Sequence, residues 1–489
     1  MKAIFAYDLG TGGMKAVALD FGLRVLGSCY APINTYVNGP GLTEQRPAEW
    51  ATVFSKLTAE LIRLAGIEPA AIAISGHSMG VVPVFTDGRD TRDLLTPIWS
   101  DRRATKQAEA FFRRFDRDAW YRITGCGLAP ELYSVFKLMW FKKHAPELYE
   151  GAELFIGSKD YLNYMLTGVV VTDRSYASGS GVYDLHTHDY SEKLIEAAGL
   201  RRSIFPPLIK GSDFVGVTAG SFGRAAGLPD GIPVFAGGVD NVCSTLGARG
   251  NTFISLGSSA QLVRLTEEPL LDLEAGAFVW DTGTDKGYAS QFGTLAACTA
   301  LRWAADTLFP ELERSYSEFD KLAAQAEPGA GGVVFVPDIL ASGGGSFAGL
   351  TSRTKRPDIA RSVLEGIAFS ILSAGSNAAG TDSCRAFENV RITVCGGGAK
   401  SDVWMKIFAD IFGTEIIVPA DAGNVAAIGA GMLARAGLER TAGKSDIIDH
   451  DHRPEKSFGQ VRTFLPDAHN HKVYSDLFKR YIENEKRTH

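Results

Sequence analysis

A unit of strand, glycine-rich turn and strand occurs twice in this chain, and it constrains the fold more than any other feature. The first copy has an apolar run at residues 3–7, a turn region from Asp8 to Lys15 and a second apolar run at 16–20. The second copy lies about 245 residues later, in Thr252 to Leu265. Because one copy opens each half, the repeat predicts a duplicated architecture with a ligand between the halves.

A single glycine-rich hairpin fits two interpretations. Its turn needs glycine only for its backbone shape, or its amides and the Thr11 hydroxyl face a phosphate. In the second interpretation Lys15 adds positive charge and Asp8 holds Mg²⁺. A second such turn at an equivalent place favours phosphate binding. The candidate phosphate contacts are Gly10, Thr11, Gly12, Gly13 and Lys15 in the first hairpin, and Gly257, Ser258 and Ser259 in the second.

Composition excludes several classes of protein. A chain of 489 residues is too long for one core, so two or three domains are expected. The net charge of −6 argues against nucleic acid or an anionic membrane as the main partner. The beginning of the sequence runs directly into a strand pattern, without a secretory leader, and no apolar run is long enough to span a membrane. Six scattered cysteines without a CxxC pair predict buried, reduced thiols in a cytoplasmic protein.

The stretch from Gly231 to Asn241 lies near the middle of the chain. Its apolar run Ile232–Ala236 predicts a short buried strand that ends in Gly237-Gly238. Asp240 follows at the strand exit, where α/β proteins collect ligands. Within this stretch alone, Asp240 is either a catalytic base or, more simply, a cap of the next helix.

A run of three glycines, 396–398, follows an apolar strand pattern in the second half. Such a run is a tight strand–helix turn, or a bare backbone surface on which a flat ring can lie beside a helix N-terminus that favours an anion. The candidate nucleotide contacts here are Gly397, Gly398, Ala399 and Asp402. From residue 424 a helix rich in small residues is predicted to pack closely on a sheet.

These elements resemble the actin/hexokinase/Hsp70 superfold, and within it the FGGY carbohydrate kinases. The resemblance includes Gly-Gly-Val-Asp240-Asn241, the Trp-x-Asp-x-Arg element 99–103, a first signature at 133–144 and a second at 409–419. It implies an α/β fold of two actin-like (ribonuclease H-like) domains, with mixed sheets flanked by helices and the active-site cleft between them. The implied domains are 1–242, with the sugar site and catalytic base, and 243–489, with the ATP site.

The resemblance also implies roles for individual residues. Asp240 is the general base that takes a proton from a sugar hydroxyl, and Asp8 contacts Mg²⁺, with Asp240 as a second metal contact. The implied substrate contacts are His77, Ser78, Met79, Trp99, Asp101, Asp240 and Asn241. The implied cosubstrate is ATP with Mg²⁺.

Simpler interpretations stand beside several of these roles. His77 fits a satisfied, partly buried histidine as well as a sugar contact, and Asp101 fits a helix cap. Lys137, in the first signature, fits a surface charge. Leu64 fits the core face of a helix predicted over 48–65. The glycine-rich loop 341–346 is shorter than in the family, so no role is carried over to it.

The expected reaction is transfer of the γ-phosphate of ATP to a ketopentose such as xylulose. Another ketose or a short polyol is the alternative substrate. A more distant alternative is an ATP-driven conformational module of the Hsp70 type, which would need a peptide-binding domain after residue 440. A non-catalytic sugar sensor should have lost Asp8 or Asp240. The expected partner is a small-molecule sugar, with neither nucleic acid nor membrane, and a homodimer is left open.

Overall fold

The computed structural model describes residues 1–85, 89–284, 287–294, 296–340, 344–377, 387, 390–441 and 461–488. Cys384 and the first part of the loop 341–346 lie outside these residues. In chain order the strands β1 to β24 are Lys2–Gly10, Gly13–Leu19, Val25–Pro32, Tyr36–Gly39, Leu42–Gln45, Glu68–Gly76, Val82–Val84, Thr96–Pro97, Leu154–Ile156, Thr172–Asp173, Tyr183–Asp184, Asp189–Tyr190, Leu208–Ile209, Phe214–Val217, Pro233–Val239, Thr252–Leu256, Ala260–Thr266, Phe278–Asp281, Tyr288–Thr294, Val334–Val336, Ser346–Ala348, Ile392–Cys395, Ile416–Val418 and Arg462–Phe464.

The helices α1 to α16 are, in chain order, Pro47–Ala65, Thr105–Phe112, Arg117–Thr124, Ser134–His144, Pro146–Gly151, Ser158–Thr167, Arg174–Ser178, Glu192–Ala197, Gly220–Ala225, Asp240–Gly247, Cys298–Leu308, Tyr316–Ala323, Arg356–Asn377, Asp402–Phe412, Val425–Thr441 and Ala468–Thr488. Short 3₁₀ turns lie at Pro130–Leu132, Arg202–Ile204, Pro310–Leu312, Ala330–Gly332 and Gly398–Lys400.

The chain forms two compact units. Among the described residues, the first unit contains 1–249, 265–290 and 424–441, and the second contains 250–264, 291–423 and 461–488. Two units are what the duplicated hairpins predict. They do not follow a single cut between residues 242 and 243, because two later segments pack with the first unit.

The main sheet of the first unit has the strand order β14-β15-β6-β1-β2-β3. β1 and β2 are antiparallel and joined by the predicted hairpin, while β1, β6 and β15 run parallel. The outer strands β3 and β14 are antiparallel to their neighbours. β1 reads as a nearly continuous apolar run, which fits a strand covered on both faces.

Helix α1 covers one face of this sheet, as its periodicity predicts. Pro47 occupies its first turn, and Gly66 ends it in the left-handed conformation with φ of 59°. Phe54, Leu57 and Leu61 are fully buried against the sheet. The prediction is wrong for Leu64, which is 49% exposed, because it faces the solvent at the last turn.

The second unit repeats the strand arrangement of the first. Its strands belong to a seven-stranded sheet with the order β18-β19-β17-β16-β22-β23-β24, with an antiparallel hairpin β16–β17, parallel β16, β22 and β23, and antiparallel β24. β16 and β17 therefore correspond to β1 and β2, and β22 and β23 to β6 and β15. The predicted duplication of mixed sheets flanked by helices is confirmed.

Helix α15 belongs to the C-terminal part of the sequence but packs on β1, β6 and β15 of the first unit. It crosses α10 at glycines, since a Cβ added to Gly429 would lie 1.9 Å from the Cys243 carbonyl oxygen. A Cβ added to Gly247 would likewise lie 1.9 Å from the Val425 oxygen. The prediction of a small-residue helix packed closely on a sheet is confirmed.

None of the helices in the described ranges is both long enough and apolar enough to cross a lipid bilayer. Five cysteines, Cys29, Cys126, Cys243, Cys298 and Cys395, are free thiols, and Cys29 and Cys298 are only half-buried.

Candidate active site

Two carboxylates lie near the ends of β1 and β15, the two strands that flank β6 in the first unit. Asp8 on β1 pairs in register with Ser75 on β6, and Ser75 pairs with Gly238 on β15. Asp240 follows two residues after Gly238 and is the first residue of α10. The Ser75 hydroxyl donates to Asp8 Oδ1 at 3.2 Å. The parallel strands thus bring together two residues that are 232 positions apart in the sequence.

Both carboxylates have a raised proton affinity, and Asp8 contributes to that of Asp240. Burial, followed by the charge of Asp8, raises the pKa of Asp240 to about 7. Burial also raises the pKa of Asp8, against the opposing effects of Lys15 and the Ser75 hydroxyl. Asp240 is therefore a carboxylate that can accept a proton near neutral pH.

The cap interpretation of Asp240 does not describe its place in the helix. Val239 is the N-cap residue of α10, and Asp240 follows it inside the first turn. Its Oδ1 accepts the adjacent backbone N–H, that of Asn241, at 2.8 Å. Asn241 itself is half-buried.

A bulge in β15 sets the direction in which the chain reaches Asp240. The register between β15 and β6 shifts between Phe235 and Gly238, and Gly237 has a φ of 72°. A Cβ at Gly237 would lie 2.0 Å from the Ile74 carbonyl oxygen. This position therefore needs glycine for both its conformation and its close packing.

A buried ionic network supports the same strand end. Lys159 is fully buried, and its Nζ lies 2.5 Å from both Asp160 Oδ1 and Asp173 Oδ2. Ser175, which follows this network, accepts the backbone N–H of Val239 on its Oγ at 3.0 Å. This support was not predicted from sequence, because Lys159 and Asp160 stand beside other polar residues in helix α6.

The first hairpin has a two-residue turn, Thr11-Gly12, closed by the pairing of Gly10 with Gly13. Gly13 is needed for packing, since its Cβ would lie 2.5 Å from the Ala31 oxygen. Gly12 is exposed, and nothing lies within 4 Å of an added Cβ. Lys15 faces Asp8 across the hairpin in register. The hairpin thus has an open tip on a tightly packed base.

The turn 77–80 is buried and follows β6. His77, Ser78 and Met79 are at most 5% exposed, and Met79 has a φ of 58°. The His77 backbone N–H donates to the Leu9 oxygen at 3.0 Å, and its Nδ1 lies 3.4 Å from the Ser158 hydroxyl. Its Nε2 has no partner among the described residues. Burial and the charge of Lys137 lower the pKa of His77 to about 4, so its ring is neutral.

Lys137 stabilises this turn, and the interpretation of its side chain as a surface charge is wrong. It is fully buried, and its ammonium donates to the Leu132 oxygen at 2.5 Å and the Met79 oxygen at 3.0 Å. A third carbonyl, that of Trp99, lies 3.4 Å away. Burial lowers the pKa of Lys137 to about 7. The sequence around Lys137 does not indicate its burial, because the groups that accept its hydrogen bonds are backbone carbonyls.

The element 99–103 has one side chain turned outward and one turned inward. Trp99 is 39% exposed, and its indole N–H donates to Thr11 Oγ1 at 2.9 Å. Asp101 is fully buried, and its oxygens accept the Thr43 N–H at 2.7 Å and the Arg103 Nε–H at 2.8 Å. Asp101 therefore anchors the loop, and its contact with a substrate stays a prediction.

A cavity of about 520 Å³ lies in the second unit, a size that suits a nucleoside or similar ligand. Its lining residues are Gly257, Ser258, Cys298, Leu301, Arg302, Tyr316, Ser317, Asp320, Gly397, Gly398, Lys400, Ser401 and Trp404. Residues of both the second hairpin and the glycine run thus line one cavity. Ser259, Ala399 and Asp402 lie outside this lining, and Asp402 forms an ion pair with Arg462.

The glycine run has three different roles at its three positions. Gly396 has a φ of 103°, and its added Cβ would lie 2.5 Å from the Leu256 oxygen. Gly398 packs on Leu256 and Trp404, whereas Gly397 has nothing within 4 Å and is the bare backbone surface. Tyr316 and Asp320 on α12 also line this cavity and were not predicted from sequence. Those residues carry no motif, and burial raises the pKa of Asp320.

Comparisons with known proteins cover nearly the whole chain. The family model for the N-terminal domain of the FGGY family of carbohydrate kinases matches residues 3–247, and the model for the C-terminal domain matches 252–438. A xylulose kinase of Bacillus subtilis is 28% identical over 98% of this chain and 96% of its own. A glycerol kinase of Alkalilimnicola ehrlichii is 30% identical over 89% of this chain and 90% of its own. The crystal structure of a xylulose kinase from Rhodospirillum rubrum matches with a TM-score of 0.86 and 25% identity, over 99% of this chain and 98% of that one.

Proposed function

Because this chain belongs to the FGGY family of carbohydrate kinases, we propose that it transfers the γ-phosphate of ATP to a hydroxyl of a ketopentose such as xylulose. The predicted family and the enzyme class, a phosphotransferase that acts on a sugar, are confirmed. Similarity to a xylulose kinase over almost the full length of both chains supports the choice of substrate. Membership of a carbohydrate kinase family removes the alternative of an Hsp70-type module.

The observation that carries the mechanism is the position and proton affinity of Asp240. A sugar hydroxyl is too weakly acidic to attack phosphorus unaided, so a base must take its proton as the new bond forms. Asp240 has a pKa raised to about 7, and its Oδ1 accepts the backbone N–H of Asn241. Asp240 takes the hydroxyl proton, and the γ-phosphorus forms a bond to the sugar oxygen as its bond to ADP breaks.

The first unit supplies the sugar contacts and part of the phosphate contacts in this proposal. The Nε2 of His77, which has no partner in the described part of the chain, is available to sugar hydroxyls, and the exposed face of Trp99 is available to the sugar's apolar face. Ser78, Met79 and Asn241 line the same proposed site, and Asp101 positions it through Arg103 and Thr43. Gly12 and Lys15 of the first hairpin face the transferred phosphate.

The second unit binds ATP in this proposal, in the cavity between the Gly397 surface and α12. Tyr316 and Asp320 then replace Ala399 and Asp402 as the expected side-chain contacts, since they line the cavity. The glycine amides at 257 and 397 suit phosphate oxygens.

The residues of the first unit fit a magnesium ion. Mg²⁺ is usually held by one or two carboxylates together with substrate phosphates and water. Asp8 and Asp240 supply the carboxylates, and their mutual repulsion is what a cation relieves. Among the described residues there is no cluster of three or more metal-ligating side chains, which fits an ion that arrives with the nucleotide. When bound, Mg²⁺ neutralises charge on the transferred phosphate.

A second substrate class is favoured by one observation. The glycerol kinase relative, at 30% identity, supports a short polyol as the alternative acceptor. A cytoplasmic location and a homodimeric state stay predictions.

The test is a coupled ADP-release screen across ketoses, aldoses and polyols. We expect a ketopentose to give the highest kcat/KM, and Asp240→Asn to lower kcat on that sugar by about 10²- to 10⁴-fold. Asp230→Asn, an exposed aspartate paired with Arg224 in the same unit, is the matched control and should keep full activity. Normal turnover by Asp240→Asn would refute the mechanism, and no sugar-dependent ADP release would refute the proposed reaction.

A further inference from the structure

The tip of the first hairpin is held by side chains that come from the sugar side of the same unit. Thr11 Oγ1 accepts the indole N–H of Trp99 at 2.9 Å. The Thr11 carbonyl oxygen accepts Gln45 Nε2 at 2.7 Å and the Thr35 hydroxyl at 3.2 Å. These bonds cross 88, 34 and 24 residues of sequence, so they are long-range contacts and not part of the turn itself.

The bond from Trp99 fixes what the Thr11 hydroxyl can do next. A threonine hydroxyl has one proton to donate and two lone pairs to accept with. The indole N–H can only donate, so it occupies a lone pair of Thr11 Oγ1. The Thr11 proton must then point away from Trp99 and is free to donate to an anion at the hairpin tip.

A second connection passes through Gln45, a fully buried residue of the segment before α1. Its Nε2 donates to the Thr11 oxygen, and its Oε1 accepts the indole N–H of Trp50 at 2.9 Å. Trp50 is 1% exposed and meets the ring of His77 edge-on, with ring centres 5.9 Å apart. Both ends of the proposed sugar site, Trp99 and His77, thus connect to one residue, Thr11.

We propose that Trp99 and Gln45 are positioning residues that couple the occupied sugar site to the phosphate hairpin through Thr11. The coupling rests on the proposed kinase function. A sugar seated against Trp99 immobilises the indole and therefore the Thr11 hydroxyl, whose proton then stabilises the phosphoryl group during transfer. A donor that acts on the transferred group raises kcat, whereas a group that only binds the sugar changes KM.

The test is a double-mutant cycle with Trp99→Phe and Thr11→Val. Trp99→Phe keeps the aromatic face but removes the N–H, and Thr11→Val removes the hydroxyl with little change in shape. We expect each single variant to lower kcat about 3- to 10-fold, the range that corresponds to one hydrogen bond, with KM for the sugar changed less than about 3-fold. Because both changes break the same bond, the kcat of the double variant should be no lower than that of the less active single variant.

Matched controls are Trp140→Phe and Thr52→Val, which make the same chemical changes elsewhere in the unit. Trp140 stacks on His144, and Thr52 is exposed on α1, where its hydroxyl bonds the Ala48 oxygen. Both should keep the kcat of the unaltered protein. Gln45→Met is a second variant, and we expect the same loss in kcat with the sugar KM kept.

For the same double-mutant cycle, we also measure the shift in melting temperature that Mg·ATP produces in each protein without sugar. This readout separates the coupling from the proposed reaction. If the unaltered protein has no sugar-dependent turnover, the proposed reaction is refuted. The double-mutant cycle of melting shifts then still tests whether Trp99 and Thr11 interact. Multiplicative losses in kcat, or additive melting shifts where turnover is absent, would overturn the coupling, as would a loss confined to the sugar KM.

Discussion

At the scale of single residues, His77 is a histidine that its surroundings keep neutral. Burial is the main cause of its low pKa, about 4, and the ammonium of Lys137 is the second. In the unfolded chain the same ring takes up a proton near pH 6.5. Between these two values only the unfolded state binds the proton, so stability must fall as the pH falls.

We expect the free energy of unfolding to decrease by roughly 3 kcal/mol between pH 7 and pH 4 through His77 alone. In His77→Gln this part of the acid dependence should be absent, although the variant is less stable at pH 7. Urea unfolding at pH 7, 6, 5 and 4 measures the difference between the two proteins. The exposed residue His469 gives the control variant His469→Gln, which should follow the unaltered protein. Parallel pH curves for His77→Gln and the unaltered protein would contradict the prediction.

Residue-level prediction from sequence worked where chemistry and backbone geometry coincide. Asp8 and Asp240 lie at strand ends that a parallel sheet must bring together, so their proximity follows from the pattern. Lys137 and Lys159 were not predictable in this way. Their burial depends on backbone carbonyls and on carboxylates that only the folded chain delivers. Tyr316 and Asp320 were not predicted, because residues can line a cavity without belonging to a recognisable sequence motif.

At the scale of elements, glycine is required at different positions of one strand for different physical reasons. Gly231 precedes strand β15 and Gly237 lies in its bulge, and both have positive φ, at 94° and 72°. Nothing lies within 4 Å of a Cβ at Gly231, whereas a Cβ at Gly237 would meet the Ile74 oxygen at 2.0 Å. The two positions therefore separate backbone strain from close packing.

We expect Gly231→Ala to cost about 1 kcal/mol of stability and to keep activity, because only the backbone conformation is strained. Gly237→Ala should cost at least about 3 kcal/mol and lower kcat strongly, because relief of the clash moves β15 and with it Asp240. Thermal unfolding and the ADP-release assay on both variants test this. Equal losses of stability in the two variants would show that a clash with the Ile74 carbonyl oxygen does not contribute to the free energy of unfolding.

At the scale of the whole molecule, the two units are similar in plan but are not successive along the chain. The hairpins and parallel strands that define each unit could be predicted from sequence, because they are local patterns. The packing of α15 on the first unit could not, since an apolar helix of small residues fits either sheet. The close fit of Gly429 and Gly247 to opposite backbones, which only the folded chain shows, holds α15 to the first unit.

A fragment of residues 1–249 should therefore fail to form a cooperative unit, because one face of its sheet and helix α10 lack α15. We expect it to bind a dye for exposed apolar surface and to unfold without a sharp transition. Addition of a peptide that spans 424–441 should reduce dye binding. A sharp, cooperative melt of the fragment alone would contradict this account. In the full chain, Gly429→Leu should lower the melting temperature by the same loss of packing.

The place of α15 in the sequence also decides when the protein can fold in the cell. A ribosome that has released the strands of the first unit must still add roughly 190 residues before α15 emerges, which takes about 10 to 40 s. During that time the sheet face that α15 later covers is open to contact with other chains. Gene fusions or rearrangements that separate the two ends of the sequence would leave the first unit unfinished, even with every proposed catalytic residue present.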